Sequence, residues 1–167
     1  MATDMSTSLR IEPARPHDAA VLMGLVRELA QFEKLEHQVV ATEQQMRDEL
    51  AASRPVIEAV LARQGTEAVG FALYFHNYST FLGRRGLYLE DLYVVPQARG
   101  RGVGRALITF LAALARQRGC GRFEWTVLDW NQRAIEFYRS IGAEVLPDWR
   151  VCRVTGAALD RLADGSA

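Results

Sequence analysis

Gly100, Gly102 and Gly104 alternate with larger residues in the stretch Val94-Val95-Pro96-Gln97-Ala98-Arg99-Gly100-Arg101-Gly102-Val103-Gly104-Arg105, and three arginines fall within its last seven positions. The residues on either side restrict what this stretch can be. Leu87 to Val95 is rich in aromatic and branched residues and reads as a strand. Val103, Leu107, Phe110, Leu111 and Leu114 recur at i, i+4, i+7, i+8 and i+11, the spacing of an amphipathic helix. The glycines therefore sit where a strand turns into a helix. Backbone amides at a helix start lack intrahelical partners and carry the positive end of the helix dipole. With few side chains in the way, an anion can approach them closely, as a phosphate does.

Charge patterning agrees. The 167-residue chain is formally neutral, with 20 basic and 20 acidic residues. From Arg84 to Arg122, however, eight arginines face only two acids, Glu90 and Asp91. A ligand with several phosphates would suit that segment. Lys34 is the single lysine, so the preference for arginine runs through the whole chain. A neutral total gives no general attraction to nucleic acid or anionic membrane, and no run of about 18 apolar residues could form a spanning helix. Two cysteines, Cys120 and Cys152, make neither a CxxC pair nor a disulfide framework. These features lead us to expect a cytoplasmic protein. His17, His37 and His76 lack metal-ligand spacing, so no metal is expected.

The remaining elements follow from periodicity and punctuation. Leu9 to Ile11 reads as a first strand and His17 to about Leu35 as an amphipathic helix. Thr42-Glu43-Gln44-Gln45 has the form of a capping box for a second helix. Val56 to Arg63 and Ala68 to Tyr78 read as strands joined by a hairpin, with a further turn at Arg84-Arg85-Gly86. Arg122 to Leu128 reads as a strand, Asn131 to Ser140 as a helix capped by Asn131, and Arg150 to Val154 as a late strand. Residues 1–8 are expected to be disordered or loosely attached, and residues 9–162 to form one α/β domain around a mixed sheet.

The loop does not fit two common nucleotide motifs. A Walker A loop needs Lys followed by Ser or Thr after its last glycine, and here Arg105-Ala106 follow. A dinucleotide fingerprint fails from Gly100, whose sixth position is Arg105, and from Gly102, whose sixth position is Leu107. The form present is R-x-x-G-x-G. Together with YLEDLYV at Tyr88–Val94, VLDWN at Val127–Asn131, AIEFY at Ala134–Tyr138, IGA at Ile141–Ala143 and ELAQFEK near the start, it resembles the GCN5-related N-acetyltransferases (GNAT). Within that superfamily it is most similar to the diamine branch of spermidine/spermine and thialysine acetyltransferases, over roughly residues 9 to 160. The resemblance implies a mixed, mostly antiparallel sheet of about six to seven strands, splayed after the fourth and flanked by four to five helices. It also implies acetyl-CoA as co-substrate, a primary amine of a small molecule as acceptor, and a homodimer.

The resemblance also assigns roles. An alkylamine with a pKa near 10.4 is unprotonated in only about one molecule in 10³ at neutral pH, so a general base is needed. Glu90 matches that base and Tyr138 the acid that protonates the departing thiolate. Leu92, Tyr93 and Val94 would offer main-chain groups to the pantetheine arm. Arg99, Gly100, Arg101, Gly102, Val103, Gly104 and Arg105 would hold the pyrophosphate, and Asn131 and Ala134 would complete the cofactor set. Phe32, Glu33, Asp91 and Trp149 match substrate positions. Regular strand alternation would send Glu90 and Asp91 to opposite faces.

The acceptor is less legible. Segment Ala143–Asp148 is shorter and less acidic than in the polyamine enzymes, which leaves diamines and lysine- or thialysine-like amino acids open beside spermidine. Three alternatives stand beside the small-amine enzyme: acetylation of protein lysines or N-termini, an acyl-CoA-binding protein without catalysis, and an RG-rich nucleic-acid binder. The last has no aromatic residues between Arg99 and Arg105 to support it.

Overall fold

The computed structural model describes residues 8–165; the expected disorder of residues 1–8 falls, but for Ser8, outside them. The chain forms two compact units that divide at Thr126/Val127.

The first unit is built on one five-stranded sheet whose spatial order is the sequence order. β1 (Leu9–Pro13), β2 (Glu58–Gln64), β3 (Glu67–Ser79) and β4 (Arg84–Val94) run antiparallel, and β5 (Phe123–Trp125) joins β4 in parallel. α1 (Ala19–Glu33) and α2 (Glu43–Ala51) lie between β1 and β2, and α3 (Val103–Gln117) between β4 and β5. The capping box is formed as expected. Thr42 Oγ1 accepts from the Gln45 amide at 3.2 Å, and Gln45 Oε1 accepts from the Thr42 amide at 2.8 Å.

Cross-strand register sorts the core onto two faces. Leu22, Leu25 and Leu29 of α1 pack with Ala59, Leu61, Phe71, Leu73 and Tyr93 on one face. The alternate residues Val60, Ala62, Ala72, Leu87 and Leu89 are buried on the other face, which α3 covers with Val103, Leu107 and Leu111. Phe71 and Leu22 are wholly buried, and each such side chain contributes roughly 1.5–3 kcal/mol through burial. Gly70 is required by close approach: a Cβ there would lie 2.7 Å from the Tyr93 carbonyl oxygen.

Two features of β4 matter for function. Its pairing with β5 ends at Leu89↔Trp125, where β5 itself ends. Its register with β3 slips by one residue, from Leu73↔Asp91 to Tyr74↔Leu89. Glu90 is the extra residue of this β-bulge.

The second unit contains α4 (Gln132–Ser140) and α5 (Gly156–Ala163). Asn131 caps α4, its Oδ1 accepting from the Ala134 amide at 3.2 Å.

Several expectations need correction. Arg84-Arg85-Gly86 is the start of β4; the turn lies at residues 80–83, where Gly83 has φ +61°. Among the described residues five strands form rather than six or seven. Arg150–Val154 forms no strand and is exposed, with Arg150 bonded to the nearby Pro147 carbonyl at 2.6 Å. Branched residues there met the strand propensity but found no ladder. α5 was not anticipated, because an opening glycine and only eight residues give periodicity little to act on.

Candidate active site

The glycine loop closes β4 onto α3 through a single 3₁₀ turn, Pro96–Ala98. Gly100 and Gly102 adopt φ values of +76° and +83°, a region other residues enter only with strain. A Cβ at either would meet nothing within 4 Å, so backbone conformation alone selects glycine there, and the space above the loop is open. Gly102 is the N-cap and has no side chain to cap with. The first bond of the helix runs from the Ala106 amide to the Gly102 carbonyl at 2.9 Å. The amides of Val103, Gly104 and Arg105 come before it and lack i−4 partners. This geometry fits a diphosphate: accessible donors, positive dipole, and no side chain in the approach.

Upstream of the loop, β4 presents an open edge. The Val95 amide bonds to the Val69 carbonyl of β3 at 3.0 Å. Backbone groups alternate sides along a strand, so those of Leu92 and Val94 face away from β3, past the end of the β5 pairing. The Val94 carbonyl accepts from Arg99 Nε at 2.8 Å. The groups of Leu92 and the Val94 amide are the ones an extended ligand could pair with.

Arg99 therefore acts as a strut. Its guanidinium carbon lies 4.9 Å from the centre of the Phe32 ring and 5.5 Å from that of Tyr93. Tyr93 in turn donates its hydroxyl to Glu28 Oε2 at 3.2 Å. Together these contacts fasten the C-terminal end of α1 to the end of β4. This tie depends on tertiary placement, so the sequence, in which Arg99 is expected at the cofactor and Tyr93 in main-chain contacts, does not show it.

The same fastening gathers the acids. Glu33 is the last residue of α1, and burial raises its pKa. Asp91 shares its face with Leu73, Phe71 and Tyr93. Burial first, then the charges of Glu90 and Glu33, push its pKa up to about 6. Phe32, Glu33, Glu90 and Asp91 are thus brought into one neighbourhood. The strict alternation expected of Glu90 and Asp91 is broken by the bulge, which leaves Glu90 exposed and without a cross-strand partner. A cluster of three carboxylates beside aromatic rings can attract and orient a cationic amine and accept a proton from it.

Tyr138, Asn131, Ala134 and Trp149 belong to the second unit. Tyr138 is buried on α4, with its ring centroid 5.4 Å from that of Phe137, whereas Trp149 is 77% exposed.

An open strand edge, a bare-amide loop at a helix start and a carboxylate cluster beside it can together receive an extended, phosphate-bearing ligand and a cationic one. Residues 25–143 match the model of the acetyltransferase (GNAT) family. The chain is 40% identical to the thialysine N-epsilon-acetyltransferase of Mus musculus, covering 93% of this chain and 98% of that protein. It is 33% identical to the L-ornithine N5-acetyltransferase of Arabidopsis thaliana, covering 92% and 87% respectively. Among solved structures, an integron cassette protein from the mobile metagenome of V. cholerae superposes with a TM-score of 0.78 at 29% identity, covering 93% of this chain and 98% of that one. The chain belongs to the GNAT acetyltransferase family. It is an acetyl-CoA-dependent N-acetyltransferase.

Proposed function

We propose that this enzyme acetylates the side-chain amine of a small basic amino acid of the lysine, thialysine or ornithine kind, with Glu90 as general base. The observation that carries the reading is the cluster of Glu33, Glu90 and Asp91 on and beside the bulge of β4. A small cation with a primary amine fits such a cluster, and the names of two relatives specify amines of that size.

Acetyl-CoA supplies an acetyl group already activated as a thioester. The residues suited to hold it are the Val103, Gly104 and Arg105 amides with Arg101 at the pyrophosphate, and Leu92 and Val94 along the arm. Arg99 supports the loop from beneath. Asp91 and Glu33 bind the ammonium form of the acceptor and hold it against Phe32. Glu90, exposed at the bulge, takes the proton that frees the nitrogen lone pair, directly or through a water molecule. The Leu92 amide is suited to stabilise developing negative charge on the acetyl oxygen. Tyr138 serves as the proton donor to the leaving sulfur, Asn131 and Ala134 assist in holding the cofactor, and Trp149 contributes to the acceptor site. These last roles rest on the match of AIEFY, VLDWN and the late tryptophan to the family pattern.

The family match crosses the Thr126 boundary, which supports residues 9–162 as a single catalytic domain. We read the protein as a cytoplasmic homodimer. Its cysteines are free thiols, and among the described residues no helix is long and apolar enough to cross a membrane. The dimer rests on family resemblance and is measured by light scattering.

The test is acceptor-dependent thiol release from acetyl-CoA across thialysine, lysine, ornithine, short diamines, spermidine and a lysine peptide. Highest kcat/KM with a basic amino acid supports the proposal. Preference for the peptide favours protein acetylation, and no turnover with any amine leaves only acyl-CoA binding.

A further inference from the structure

A second basic region lies at the opposite end of α3 from the glycine loop. α3 spans Val103–Gln117, about 22 Å at 1.5 Å per residue, so the two regions are far apart. Here the β3–β4 hairpin and the end of α3 enclose an open basin of about 620 Å³, lined by His76, Tyr78, Gly83, Arg84, Arg85 and Arg118 among others. That volume is ordinary for a small-molecule site.

Its charge is not cancelled locally. Arg118 is spoken for, donating Nη2 to Glu58 Oε2 at 2.8 Å in a two-pronged pair. Arg84 and Arg85 have no acidic partner within 4.0 Å among the described residues. Three of the last four α3 carbonyls are already satisfied: Leu114, Arg116 and Ala115 accept from the Arg118, Gly119 and Cys120 amides at 2.9, 3.1 and 2.9 Å. They present little to repel an anion. His76 Nε2 lies 3.5 Å from Arg118 Nη1. Tyr78, 64% exposed, gives the basin an aromatic wall.

We infer that this basin binds a small molecule bearing two or more phosphate groups, with Arg84 and Arg85 as its principal ligands. Guanidinium forks match phosphate oxygens; Arg85 lines the basin from the strand face it shares with Tyr78 and His76, and Arg84 lines it from the end of the hairpin. The proposed acetyl-transfer chemistry uses none of these residues. The site would allow a phosphorylated metabolite to bind while the coenzyme loop is occupied.

Inorganic pyrophosphate is the probe, titrated into the full-length enzyme saturated with coenzyme A so that the glycine loop is filled. The readout is the His76 imidazole resonance, assigned with His76→Asn. His76 titrates below its usual range, through burial and the Arg118 and Arg85 charges, against the opposing pull of Glu58. A bound polyanion raises that pKa, and saturable movement of the resonance with pyrophosphate is the expected result. The Arg84→Gln/Arg85→Gln pair, exposed on the hairpin, weakens pyrophosphate binding at least about tenfold and leaves acetyl transfer and Tm unchanged. Absence of a pyrophosphate-dependent change at His76 overturns the proposal. So does a change that persists undiminished in the double variant, which would place the anion elsewhere.

Discussion

The guanidinium of Arg99 lies over the ring of Phe32, its central carbon 4.9 Å from the centroid, so the loop that follows β4 is stacked on the last turn of α1. Through this contact and the Arg99–Val94 hydrogen bond, one side chain joins the elements that carry the glycine loop, the open strand edge and the acidic cluster.

Arg99→Ala removes two ring contacts and a hydrogen bond, which together are worth on the order of 1–3 kcal/mol. Thermal denaturation is expected to show a Tm lower by several degrees, with a higher KM for acetyl-CoA. Arg99→Lys restores the charge but not the planar fork. It is expected to leave Tm close to that of the alanine variant. Full recovery by lysine would mean that charge alone, and hence direct phosphate binding, is the residue's main contribution.

Asp91 titrates near 6 in the folded protein, against 3.8 ordinarily. The sign follows from linkage. A carboxyl whose folded pKa is raised binds more protons folded than unfolded between pH 4 and 6, so its ionisation costs stability as pH rises through that window. At pH 7 the cost is about 3 kcal/mol at most. Asp91→Asn is therefore expected to raise Tm at pH 7, and the gain to vanish towards pH 4. The same variant is expected to lose activity. A wild-type kcat/KM profile should fall on acidification through about pH 6. If Asp91→Asn instead lowers Tm at pH 7, the carboxylate is stabilised by a partner and the reading of the cluster fails.

Gly102→Ala places a side chain at φ +83° with no steric clash. The strain of about 1–2 kcal/mol either lowers Tm or is relieved by turning the loop's amides. Calorimetry is expected to give weaker coenzyme A binding by an order of magnitude, with the affinity for acceptor amines unaffected. Unchanged coenzyme binding would mean that the phosphates are held elsewhere.

Much of this arrangement was legible in the sequence, for identifiable reasons. R-x-x-G-x-G between an apolar strand and a periodic helix specifies bare amides at a helix start, because chain geometry at that junction is local. Thr42 and Asn131 cap their helices as read, for the same reason. The bulge at Glu90 was not legible: a one-residue slip depends on which residues of β3 lie opposite, and nothing in YLEDLYV marks it. The role of Arg99 was equally hidden, since it comes from packing between segments some 67 positions apart in the chain. The strand expected at Arg150–Val154 failed because propensity names residues that suit a ladder without supplying the partner strand.

The most direct test compares Glu90→Gln with wild type in single-turnover acetyl transfer to thialysine, alongside coenzyme A binding measured by calorimetry. Glu90→Gln is predicted to slow transfer by roughly 10²–10⁴-fold while the dissociation constant for coenzyme A stays within about twofold. Transfer at the wild-type rate by this variant would contradict the assignment of the bulge carboxylate as the base.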